Sequence, residues 1–165
     1  MRLSHLPLRL TTGAFILNSG IGKVGMDPQS AQGLHGMAAG AIPAVRDVKP
    51  TTFVRALSGG EIALGTALLL PFVSPVVAGA GLAAFGGGLV QLYLRTPGLR
   101  KEGSIAPTEA GLGIAKDVWM LAMGMTLVYD GLTEGARGAA RRARKSVKKA
   151  RRKASRSVSA AIPAH

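Results

Sequence analysis

A stretch without any charged residue runs from Ile62 to Leu94 and constrains the fold more than any other feature of the sequence. It continues an apolar segment that begins at Thr52, and the sequence Pro71-Phe72-Val73-Ser74-Pro75 divides the whole in two. Each half approaches the length of about 20 residues that an α-helix needs to cross the hydrocarbon layer of a membrane. Proline is typical of helix starts and turns. The stretch therefore predicts two membrane-spanning helices folded back on each other.

Two further apolar segments flank this pair, so four spans are expected. The predicted spans are about Leu6–Val24, Thr52–Phe72, Pro75–Leu94 and Gly111–Leu132. Arg2 and Arg9 before an apolar run resemble a signal peptide, but no small-x-small cleavage site with a polar mature domain follows, which favours a first span. Between the first two spans, apolar residues at helical spacing predict a short interfacial helix. The fold class is thus an all-α, integral membrane four-helix bundle with a basic C-terminal tail.

The net charge of +13 belongs almost entirely to the tail. Residues 1–134, the bundle, hold ten Lys or Arg and eight Asp or Glu, whereas residues 135–165 hold eleven Lys or Arg and no acid. Because cytoplasmic flanks of membrane helices are rich in cations, we expect a multi-pass protein of the cell (plasma) membrane with both termini in the cytoplasm. The tail is expected to be disordered or a surface helix that binds anionic lipid head groups, with nucleic acid as the alternative partner.

Several classes of chemistry are not supported by the sequence. The chain has no cysteine, which excludes disulfides and cysteine-ligated metal sites. His5, His35 and His165 lie outside the predicted spans, so a haem held by two histidines inside the bundle is not expected. His35 is interpreted as a solvated or capping residue rather than a proton relay. No phosphate-binding loop, dinucleotide motif or zinc spacing occurs, so we assign no catalytic residue or metal ligand and favour a non-catalytic role.

Ionisable residues within the spans form the candidate site, because charge is costly in hydrocarbon and so suggests function. This candidate intramembrane polar cluster comprises Arg9, Lys23, Glu61, Lys116 and Asp117. Glu61 is expected to face the bundle interior, where it either pairs with Lys23 or Lys116 or stays protonated. Such a cluster can hold a polar head group, a quinone carbonyl or a proton, or it is a salt bridge that only fixes the helix register.

Helical periodicity predicts which faces pack. In the first span, residues at spacings of four, three, four and three share one face: Arg9, Gly13, Ile16, Gly20 and Lys23. The two glycines permit close approach of a neighbouring helix. Small residues form two further ridges, which either pack or merely reflect a high content of small residues: Gly59, Ala63 and Ala67, and Ala80, Ala84 and Gly88.

Polar and aromatic residues near the span ends predict the surroundings of those ends. Arg9 begins the first span and Asp130 ends the fourth, so we expect the two side chains to lie near each other, together with Tyr129. Tyr93, Trp119 and Tyr129 are interpreted as aromatic residues at the membrane interfaces.

Three motifs, in this order and spacing, resemble the DoxX-like integral membrane proteins. They are Arg9-x3-Gly13-x6-Gly20-x2-Lys23, Gly60-Glu61-x3-Gly65, and Lys116-Asp117 at the start of the fourth span. The resemblance covers about Leu8 to Gly131 and is closest to the actinobacterial type, with its connector Leu34-His35-Gly36-Met37. Ser19 stands where many relatives carry His.

The resemblance implies a four-helix bundle in a respiratory or redox-stress setting, since the family is named for a small subunit of a thiosulfate:quinone oxidoreductase. The first functional hypothesis is therefore a non-catalytic accessory protein or subunit of a membrane complex, with quinone as the cofactor to be tested. The second is a small-molecule or lipid-binding protein that uses the Glu61 cluster. The third is a membrane tether whose tail binds anionic lipid or nucleic acid.

Overall fold

The computed structural model describes the backbone of residues 5–161 and the side chains of residues 5–148, so Arg2 and His165 lie outside the description. The regular structure of this part is helical, which confirms the all-α prediction. The α-helices are α1 (Leu6–Gly22), α2 (Pro28–Ala41), α3 (Pro50–Leu69), α4 (Pro75–Arg95), α5 (Leu112–Ala115) and α6 (Val118–Ala161), with a 3-10 turn at Pro43–Val45.

Proline and capping residues set the starts of the first four helices. Each of these helices has a proline in its first two positions. Asp27 accepts the backbone N–H groups of Gln29 and Ser30 at the start of α2, and Ser74 accepts that of Val77 at the start of α4. Such caps satisfy N–H groups that have no partner within the helix. The first three predicted spans therefore begin and end within three residues of α1, α3 and α4, and the predicted interfacial helix of the connector corresponds to α2.

Glycine faces join the helices into two antiparallel pairs, α1 with α3 and α4 with α6. A Cβ added at Gly65 of α3 would lie 2.6 Å from the backbone nitrogen of Leu17 of α1. Similarly, a Cβ added at Gly79 of α4 would lie 2.7 Å from the Cβ of Leu127 of α6. The close approach predicted for the Gly13 and Gly20 face of α1 is confirmed, because both glycines meet α3.

The two predicted small-residue ridges do not form these contacts. Gly59, Ala63, Ala80 and Ala84 are exposed, and a Cβ at Gly59 would meet no atom within 4 Å. The inward face of α3 instead carries Val54, Ser58, Glu61, Gly65 and Leu68. Because Ser58 and Glu61 must find polar partners when buried, they turn this face inward and leave the alanine ridge outside. The packing interpretation of the ridges is thus wrong within a single chain.

A compact apolar cluster connects the two pairs. Its members are Ile16, Leu68, Ala78, Leu82 and Leu127. Large apolar side chains also remain exposed along the helices, including Phe15, Val77, Trp119, Met125 and Leu132.

Two helical segments of the described chain are long and apolar enough to cross a membrane, by length and composition alone. They are Pro75–Arg95 and Leu112–Lys148. The predicted membrane crossing of α1 and α3 stays a prediction.

The last helix differs from the predicted fourth span at both ends. The chain turns at Lys116 and Asp117 between α5 and α6, and Asp117 directly precedes α6, a position that Asp favours. At the other end, α6 continues without a break to Ala161 and so includes most of the tail. Of the two predicted states of the tail, the structure contains the helical one. Its cations between 137 and 148 are exposed.

Candidate functional site

A buried ion pair between α1 and α3 forms the centre of the candidate site. The Lys23 Nζ lies 2.8 Å from Oε2 and 3.1 Å from Oε1 of Glu61. Gly20 permits this pair, because a Cβ there would lie 2.9 Å from the Cβ of Glu61 and would push α3 away from α1. Of the alternatives predicted for Glu61, the structure contains the pair with Lys23, and the predicted inward orientation is confirmed.

The pair is neutralised and largely removed from solvent. The side chains of Lys23 and Glu61 are 17% and 5% exposed. Lys23 also donates to Ser19 Oγ at 2.8 Å and to the Ser19 carbonyl at 3.2 Å. On the same face of α3, the Ser58 hydroxyl donates to the Gly20 carbonyl at 2.8 Å. Sequence reasoning did not assign Ser19 or Ser58 to the site, although a serine four residues before a predicted intramembrane lysine is a usable signal.

A cavity of about 680 Å³ lies between the two helix pairs, beside this ion pair. Its walls are mainly apolar, with Phe15, Phe53, Phe85, Leu89, Leu92 and Met120 among the lining residues. Four members of the predicted cluster also line it: Lys23, Glu61, Lys116 and Asp117. The arrangement matches ligand-binding pockets, which are largely apolar with a few polar groups that orient the ligand.

The connector helix α2 covers one side of the cavity. It packs against α3 and α4, and its Leu34, Met37 and Ala38 line the cavity. His35 fastens this connector, because its Nε2 lies 2.8 Å from the Val45 carbonyl oxygen and its ring meets that of Phe53 edge to face. The structural interpretation of His35 is therefore favoured over a proton relay.

The opposite side of the cavity, between α1 and α5, is less covered. Phe15 of α1 lines the cavity and is 65% exposed, and Gly113 of α5 lines it and is also exposed. α1 packs along α3, and α5 packs on α4. Phe15 and Gly113 are therefore lining residues that are also accessible from outside the chain.

Lys116 and Asp117 belong to the cavity wall but not to the ion pair. Within the described chain, neither side chain forms a hydrogen bond or a salt bridge with another residue. Lys116 is exposed, whereas Asp117 is half-buried. Lys23, rather than Lys116, is therefore the partner of Glu61.

Arg9 does not join the other four residues of the predicted cluster. It lies 14 residues before Lys23, about 21 Å along the helix, and does not line the cavity. Its buried guanidinium donates to four backbone carbonyls at the end of α3 and in the following turn. The acceptors are Ala67, Leu68, Leu70 and Val73, at 2.9, 2.8, 2.9 and 3.1 Å. Arg9 therefore satisfies carbonyls that lack partners within the helix, which is a structural role.

Asp130 lies at this same end of the bundle, but its hydrogen-bond partner is His5 rather than Arg9. Nε2 of His5 lies 2.9 Å from Oδ2 of Asp130 and ties the start of α1 to α6. Tyr129 points away and is 69% exposed, so it takes no part in this contact. Tyr93 is buried within the chain, and its hydroxyl donates to the Ile105 carbonyl. Its place at a membrane interface stays a prediction.

The described residues contain no group of three or more His, Asp or Glu that can hold a metal ion.

The comparisons with known proteins leave the family unassigned. No protein-family model matches the chain, nor does any curated protein or solved structure, so its resemblance to the DoxX-like proteins stays a prediction.

Proposed function

We propose that the chain is a multi-pass membrane protein of the DoxX-like type that binds a largely apolar small molecule or lipid. The observation that carries this proposal is the cavity between the helix pairs, with a buried, neutralised Lys23–Glu61 pair in its wall. Its volume of about 680 Å³ falls within the range of about 300–1,000 Å³ typical of small-molecule pockets. Apolar walls favour a hydrocarbon or ring system, and the ion pair offers a place for one polar group.

Two features of the helices support the membrane location: their exposed apolar side chains and the pairing of their buried charges. Exposed Phe15, Val77 and Met125 suit contact with lipid. Ionisable residues inside membrane proteins normally face the interior and are paired or bonded to carbonyls, as Lys23–Glu61 and Arg9 are. In this proposal α1 and α3 also cross the membrane, beside the two segments that are long and apolar enough to cross it. The basic part of α6 then faces the cytoplasm.

The role as an accessory subunit of a quinone-linked complex remains compatible with this binding function. A quinone has an apolar body that suits the cavity walls, and its reduced form, the quinol, carries hydroxyl groups that both donate and accept hydrogen bonds. The tail supports a second role as a membrane anchor, because its described cations are exposed on a helix that begins in the bundle. Anionic lipid head groups are the proposed partner of that helix.

Filling the cavity tests the binding function. Gly88 lines the cavity, and a Cβ there would meet no atom within 4 Å, so Gly88→Phe places its ring in open space. We expect the amount of apolar ligand that co-purifies in mild detergent to fall at least about tenfold, since a loss of 1.4 kcal/mol in binding suffices. The measurement is mass spectrometry of an organic extract, normalised to protein.

Gly87→Phe provides the matched control. Gly87 also has no atom within 4 Å of an added Cβ, but it does not line the cavity. The control should retain the wild-type amount of ligand. Equal retention by both variants and the wild type would contradict the proposed function.

A further inference from the structure

The hydrogen-bonding capacity of the ion pair restricts the polar group that a ligand can bring to the cavity. A lysine ammonium has three donors and no acceptor. The Lys23 Nζ already contacts both carboxylate oxygens of Glu61 and two oxygens of Ser19. Lys23 therefore has no donor left for a ligand.

Glu61 and Ser19 each retain hydrogen-bonding capacity. A carboxylate has about four acceptor positions, and Lys23 occupies two of those on Glu61. The Ser19 oxygen accepts from Lys23, which leaves its O–H group as a donor. Thr11 and Thr126 donate to the carbonyl four residues earlier, whereas the Ser19 hydroxyl donates to no residue of the described chain. Since both residues line the cavity, it offers one acceptor and one donor side by side.

The charges of the cavity wall balance. Lys23 and Glu61 neutralise each other, and Lys116 and Asp117 are adjacent in the chain and carry opposite charges. A head group with a net charge would leave an uncompensated charge in a largely apolar cavity, which is costly. The wall therefore favours an uncharged polar group.

We infer that the ligand is an uncharged lipid or lipid-like molecule whose polar group is a hydroxyl that donates to Glu61 and accepts from Ser19. A hydroxyl both donates and accepts, whereas a ketone or an ether only accepts. The inference rests on the proposed binding function and specifies its ligand. Phe15, which lines the cavity and is 65% exposed, suits contact with the hydrocarbon part of such a molecule.

The test compares three probes that share one chain and differ only in the head: hexadecan-1-ol, hexadecyl methyl ether and hexadecanoate. Apparent Kd values come from titrations of the full chain in detergent, read by native mass spectrometry. A hydrogen bond to a charged group is stronger than one between neutral groups, so the alcohol should bind at least about tenfold more tightly than the ether. Ser19→Ala should weaken the binding of the alcohol and of the ether by the same factor, because both probes accept a hydrogen bond from the Ser19 hydroxyl.

The outcomes separate the head-group inference from the binding function. Equal affinity for alcohol and ether, or tighter binding of hexadecanoate than of the alcohol, would overturn the inference. If binding of these probes is nevertheless lost in Gly88→Phe and kept in Gly87→Phe, the binding function stands. Absence of binding by all three probes in the wild type would overturn the inference, and the amounts of co-purified ligand in Gly88→Phe and Gly87→Phe then decide the binding function separately. The comparison of probes on the wild-type protein needs no variant to fold.

Discussion

Replacing Glu61 with glutamine is expected to lower the free energy of unfolding by about 3–5 kcal/mol. The carboxylate is 5% exposed and is the only acid within salt-bridge distance of Lys23 among the described residues. Glutamine has nearly the same shape, so the variant mainly removes charge. It leaves the ammonium of Lys23 buried without a counter-charge, and this uncompensated charge accounts for most of the loss. Thermal and denaturant unfolding in detergent measure the effect.

The double variant tests whether the loss comes from the pair. Lys23→Met removes the cation and keeps an unbranched chain, so Glu61→Gln combined with Lys23→Met should lose clearly less than the sum of the single variants. Glu102→Gln is the control, because Glu102 is exposed in the loop after α4 and should change stability by no more than about 0.5 kcal/mol. Additive losses at Glu61 and Lys23 would contradict the pairing.

Replacing Arg9 with methionine is expected to lower the free energy of unfolding by about 4 kcal/mol, because four buried or partly buried carbonyls lose a donor at once, at about 1 kcal/mol each. Arg9 is 1% exposed and donates to the carbonyls of Ala67, Leu68, Leu70 and Val73. Arg9→Lys should recover only part of the loss, since lysine has three donors and lacks the planar guanidinium. Unfolding in detergent again provides the measurement.

Arg46→Met is the matched control for Arg9. Arg46 is exposed and donates one hydrogen bond, from Nε to the Ala39 carbonyl at 3.2 Å. Its replacement should stay within about 0.5 kcal/mol of the wild type. Equal losses at the two positions, or a fully stable Arg9→Met protein, would show that the carbonyls after α3 do not depend on Arg9.

The sequence predicted those features that local chemistry determines. Prolines and capping residues set the helix starts, so α1, α3 and α4 lie close to their predicted bounds. Helical period and glycine spacing identified the α1 face from Gly13 to Lys23. The cost of an unsolvated charge in hydrocarbon predicted that Glu61 faces the bundle interior. Two candidate partners remained open for Glu61, because spacing along one helix does not determine which residue of another helix comes closest.

Other features depend on tertiary packing that a single chain pattern does not encode. Gly59 and Ala63 are small, as Gly65 is, so residue size alone does not tell which face of α3 packs. The need of buried Ser58 and Glu61 for polar partners selects that face. Arg9 shared a helical face with Lys23, which grouped them, yet about 21 Å of helix separates them and gives Arg9 other partners. The cavity itself arises where two tightly packed pairs diverge, and no sequence motif records that geometry.

The embedding of the bundle in a lipid bilayer is tested most directly by the fluorescence of Trp119. It is the sole tryptophan of the chain and is 68% exposed near the start of α6, so the wild-type protein needs no engineered label. After reconstitution, we predict that lipids brominated on their acyl chains quench this fluorescence, that aqueous iodide quenches it weakly, and that Trp119→Phe supplies the blank. Strong quenching by iodide with no effect of brominated lipids would contradict a membrane-embedded bundle.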